Sequence, residues 1–170
     1  MHAHNSSVFL SAFISQSWIP AAAKARLVAW KGRHDLALYV SRRAPALRID
    51  DIQSYTPKQP SAGNAWLNAL DRAIRLEGDD GHAVKFVRAC AHGEKLCAGW
   101  LKGKGVEGDM WIKIAQMCKF PRLFFFSWVG GMVADRRGIG IDSVEEPGAM
   151  WARSVGFDEA WEEYGPRKKY

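Results

Sequence analysis

The segment AVKFVRACAHGEKLCAGWLKGK, residues 83–104, decides the fold class, because it reads in two ways. As a hairpin, Val84, Phe86, Val87 and Arg88 form a β-rich run, His92-Gly93-Glu94-Lys95 supplies turn chemistry, and Leu96 to Trp100 returns as a second apolar run. As a helix, the alanines Ala89, Ala91 and Ala98 are favourable and the apolar positions do not alternate cleanly. The hairpin is the preferred reading. After it comes Gly99-Trp100-Leu101-Lys102-Gly103-Lys104-Gly105. Glycine lets backbone N–H groups approach an anion and lysine adds charge, so Gly99, Lys102 and Lys104 are candidate phosphate-binding residues. A solvated turn is the structural alternative.

Upstream, Trp66, Leu67, Leu70, Ala73 and Ile74 repeat at three and four residues and predict an amphipathic helix from Asn64 to Leu76, stopped by Gly78. Asp79-Asp80-Gly81 turns into the deciding segment. Leu47 to Ile52 reads as a strand end with a turn, and Leu36 to Val40 as a short β-prone run before the basic break Arg42-Arg43. Pro20 opens a helix through the alanines to Trp30, stopped by Gly32. Val8, Phe9, Ala12 and Phe13 predict an earlier helix capped by Ser6 or Ser7, with His2 and His4 in a loose end.

Downstream, Asp109 is placed to cap a helix from Met110 to Cys118. Leu123 to Val129 suits a fully buried strand. A helical section from Pro147 to Val155 and a short acidic helix from Asp158 to Tyr164 close the chain. The expected fold is therefore α+β: one domain over residues 1–170 with a small mixed sheet flanked by helices.

Composition is that of a folded globular protein, 170 residues with 48% hydrophobic and 25% charged side chains. A net charge of +6 and a pI near 9.4 suit polyanionic partners such as nucleic acid. Eight tryptophans point to some being half exposed at a contact surface, which suits a protein partner. Cys90, Cys97 and Cys118 are odd in number and lack C-x-x-C spacing, so free thiols and a cytoplasmic home are expected. No apolar run reaches the ~20 residues of a membrane helix.

Several pieces, in order, resemble the ParB/sulfiredoxin superfamily. They are Ile49-Asp50-Asp51-Ile52, Pro57-Lys58-Gln59-Pro60, Ala73-Ile74 with Gly78, residues 83–87, Gly93-Glu94-Lys95 and Gly99-Trp100-Leu101-Lys102. The family's arginine is Lys102 here, and its reactive cysteine is displaced, since Cys97 precedes Gly99. The resemblance implies a core at 47–129 between helical extensions at 1–46 and 130–170. It implies a nucleotide- or DNA-phosphate-binding protein, with ATP or CTP held by Gln59, Gly99, Lys102 and Lys104. A Mg²⁺-dependent nuclease or NTPase acting on plasmid DNA, as in fertility inhibition, would use Glu94 and Asp109 as metal ligands. Glu94 and His92 would be its catalytic residues.

Three other readings stand beside this one, the first a basic DNA- or RNA-binding module without catalysis. Trp-rich basic surface suits a non-enzymatic interaction or inhibitor protein. Arg136-Arg137-Gly138-Ile139-Gly140 and Arg153-Ser154-Val155-Gly156-Phe157 resemble parts of a GNAT-like acyltransferase, but the stretch between them is too short for that family's intervening elements.

Overall fold

The computed structural model describes residues 2–57, 63–75, 79, 81–100, 105–117 and 156–161, and the regular structure among them is helical, with no strand. The α-helices are α1 (His2–Ile14), α2 (Ala21–Ser41), α3 (Ile49–Ser54), α4 (Ala65–Ile74), α5 (His82–Cys97) and α6 (Met110–Met117). A 3-10 helix follows at Asp158–Trp161. Among these residues no helix is long and apolar enough to cross a membrane. The expected mixed sheet is replaced by a helical assembly.

The deciding segment is the central helix. In α5, Ala83, Phe86, Val87 and Cys90 recur at three and four residues, and each is 2% exposed or less. Lys85, Arg88 and Lys95 fall outside that stripe and are exposed. A strand would have placed Phe86, Arg88 and Cys90 on one face and buried a guanidinium among apolar groups, a costly arrangement. The helical period avoids it. Asp79 starts the helix, its Oδ2 accepting from the N–H groups of Gly81 (3.0 Å) and Ala83 (2.9 Å). Gly93, which reads locally as a turn residue, serves packing instead. A Cβ there would lie 2.5 Å from Cζ3 of Trp111, so α5 and α6 approach closely only because that position lacks a side chain.

Around α5 pack α1, α4 and α6. The core joins Ile52 of α3, Ala69 and Ala73 of α4, the α5 stripe, Val106, and Met110, Trp111, Ile114 and Ala115 of α6. Tyr55 donates its hydroxyl hydrogen to the Gln116 carbonyl (3.1 Å), tying the end of α3 to α6. α4 forms as its periodicity predicts, with Asn64 Oδ1 accepting from the N–H groups of Trp66 (3.0 Å) and Leu67 (3.2 Å).

Several local expectations change. α2 opens at Pro20 as predicted but continues through Gly32 and absorbs the expected strand at Leu36 to Val40. Nothing lies within 4 Å of a Cβ at Gly32, so that glycine costs only its intrinsic penalty of about 1 kcal/mol within a long alanine-rich helix. The expected strand end at Leu47 to Ile52 is part of α3, where Ser54 Oγ bonds back to the Asp50 carbonyl (2.8 Å). The expected loose end is helical from His2, so Ser6 and Ser7 lie inside α1 and bond to the Ala3 carbonyl rather than cap. The expected strand at Leu123 to Val129 and helix at Pro147 to Val155 lie outside the described residues.

Candidate functional site

α1 packs on α5 with its polar side inward. Ala3 and His4 are buried, Ser7 and Ser11 half-buried, while Phe9 and Phe13 are 55% and 49% exposed. Exposed phenylalanines are ordinary singly, but a helix that turns polar groups inward calls for an explanation in those groups. The His4 ring stacks on Trp111 (centroids 5.9 Å, 19°) and meets Phe86 at a tilt (6.0 Å, 59°). Burial lowers its pKa to about 4, with nearby positive charge including Lys31 adding to the effect. His4 is therefore neutral at physiological pH and a weak base, since the buried imidazolium is disfavoured. Further along the seam, His92 Nε2 lies 2.7 Å from Ser11 Oγ, and the His2 and His82 rings meet edge to face at 5.6 Å.

Trp111 also lines an open cleft of about 590 Å³, together with Gln53, Glu94, Cys97, Gly99 and Asp109 among others. That volume is in the range that takes an organic ligand. Glu94 accepts a hydrogen bond from Trp66 Nε1 (3.0 Å), which fixes its carboxylate relative to α4. Lys113 bridges Asp109 (3.0 Å) and the Gln53 carbonyl (3.0 Å), holding α6 to α3 at the cleft's edge. Trp111 forms a wall common to both regions, since it lines the cleft and stacks on His4. Cys90, fully buried in the core, has its thiol pKa pushed far up by burial and is chemically inert.

Of the residues expected from sequence, Glu94, Gly99 and Asp109 come together at the cleft, and His92 faces the α1 seam instead. Gln59, Lys102 and Lys104 lie outside the described residues. Glu94 is engaged by Trp66 and Asp109 by Lys113, and among the described residues no group of three His, Cys, Asp or Glu side chains is arranged to hold a metal ion. Sequence reasoning missed His4, Ser11, Trp66 and Trp111. The available signal was the spacing of His4, Ser7 and Ser11 at three and four residues, which is a helix face.

The chain belongs to the questin oxidase-like family, whose model matches residues 1–90. It is 44% identical over 122 residues to a Baeyer-Villiger oxidase of Pestalotiopsis fici, covering 69% of this chain and 27% of that protein. It is 36% identical over 168 residues to a Baeyer-Villiger monooxygenase of Aspergillus aculeatus, covering 95% and 30%. A questin oxidase of Aspergillus fumigatus is 39% identical over 122 residues, covering 69% and 26%. The chain thus spans about a third or less of the curated relatives it matches. These findings overturn the ParB/sulfiredoxin resemblance, and with it the DNA-binding, nuclease, ATPase and fertility-inhibition expectations and the ATP, CTP and Mg²⁺ assignments. The inhibitor and acyltransferase readings give way for the same reason, since the relatives are oxidative enzymes.

Proposed function

We propose that the chain forms part of an oxidase of the Baeyer–Villiger type. Such a reaction places one atom of O₂ between a carbonyl carbon and its neighbour, converting a ketone to an ester. With two electrons and two protons from a reductant, the other atom leaves as water. Proton handling at the substrate falls to Glu94 at the cleft, backed by the His92–Ser11 pair at the seam, while His4, held neutral, packs on Trp111, which also walls the cleft. The observation that carries this reading is the inward polar face of α1, since His4 and Ser11 lie within the segment that matches the family. A cytoplasmic home is kept as part of the proposal, supported by the odd number of cysteines and their lack of C-x-x-C spacing.

The test is incubation of the folded protein with a panel of cyclic and aryl ketones under ¹⁸O₂, with a reduced nicotinamide as electron donor and the A. aculeatus relative assayed alongside. Mass spectrometry should find an ester carrying one labelled oxygen, lost with Glu94→Gln at unchanged fold by circular dichroism. No labelled ester from this protein, whether alone or mixed with the remaining segment of the A. aculeatus relative, would overturn the reading for this chain.

A further inference from the structure

α2 buries none of its residues, although one side of it is built for packing. At the helical period Ala25, Val28, Ala29, Gly32, Leu36 and Val40 fall on one face, and no charged residue interrupts it. Val28 is 48% exposed, Leu36 62% and Val40 61%. The open space at Gly32 leaves room for a close neighbour. Arg26 and Arg33 run along one edge, Arg33 lying 5.5 Å from the Trp30 ring, and Asp35 on the other edge is paired with Lys31. Small residues in such a face allow two helix backbones to approach closely, and a continuous bare apolar face marks an interface.

Two facts indicate what covers it. The helix lies within the segment that matches the family, and the relatives carry about two thirds or more of their length outside the aligned region. We propose that the α2 face seats a helix from that remaining part of the oxidase fold, one whose apolar stripe is flanked by carboxylates opposite Arg26 and Arg33. A second copy of this chain is a poorer occupant, because an antiparallel pair of α2 faces sets Arg26 and Arg33 against their own copies, and a parallel pair sets them against an edge where Lys24 and Lys31 outnumber Asp35.

Carbene footprinting with mass spectrometry compares the 170-residue protein with the intact A. aculeatus monooxygenase. Label on α2 should be heavy in the former, which light scattering should show to be a monomer. The aligned helix of the relative should be protected. Since labelling follows accessible area, Leu36 going from 62% exposed to a buried value near 10% corresponds to about a sixfold loss at that position. Equal labelling in the two proteins overturns the proposal. So does a dimer of the 170-residue protein with protected α2 that dissociates on Leu36→Asp, an outcome that assigns the face to a second copy. Neither result depends on catalysis, so failure here is distinct from failure of the oxidase reading.

Discussion

Replacing His4 by Gln should remove a defined part of the protein's acid sensitivity. Burial lowers the His4 pKa from 6.5 in the unfolded chain to about 4 in the fold. Between those values the unfolded state binds the proton more readily, so stability from this group is fully present above pH 6.5. It falls as the pH drops and is lost by about pH 4. The separation corresponds to about 3 kcal/mol in total, and linkage at pH 5 gives about 2 kcal/mol of it. Urea denaturation of wild type and His4→Gln at pH 7.5 and pH 5 measures the difference directly. The wild type should lose about 2 kcal/mol more than the variant between those pH values. His82, whose pKa burial also lowers, is present in both proteins and cancels. Parallel pH profiles would show that His4 is not held neutral inside the seam, and its place there as a buried, uncharged packing group would fall.

Gly93→Ala sets two effects against each other. Helix propensity favours alanine by about 1 kcal/mol, whereas a Cβ 2.5 Å from the buried Trp111 ring forces a rigid indole to move, at about 1–3 kcal/mol, so a net loss of up to about 2 kcal/mol is expected in denaturant titration. A variant more stable than wild type would mean that α6 yields freely. Native-state alkylation at pH 8 followed by peptide mapping should label Cys97, half-buried at the cleft, and spare Cys90; rapid modification of Cys90 would contradict its place in the core.

What the sequence revealed depended on the range of the interactions involved. α4 was legible because its period and its Asn64 cap are both local. α5 was misread because Gly93-Glu94-Lys95 carries turn chemistry, and the reason for glycine at that position lies in Trp111, on another helix. Leu36 to Val40 looked like a strand because the other side chains outweigh Ala37 in so short a window, while the helix begun at Pro20 simply continues through it. The cleft was partly legible, since Glu94, Gly99 and Asp109 are near one another in the chain. The seam was not. His4 is held neutral by burial, and by positive charge that includes Lys31, and Ser11 meets His92 only in the folded chain.

That last contact bears on the order in which the molecule assembles. Ser11 and His92 are 81 positions apart, whereas Trp66 and Glu94, which join α4 to α5 at the cleft, are 28 apart. Closing the longer loop costs about 1 kcal/mol more in chain entropy, so α4 and α5 can meet before α1 arrives. The histidine seam is then the late-forming part of the fold, and its opening does not require the α4–α5 core to melt. Amide protons of α1 should exchange with solvent through openings smaller than global unfolding, while those of α5 wait for the whole structure to come apart.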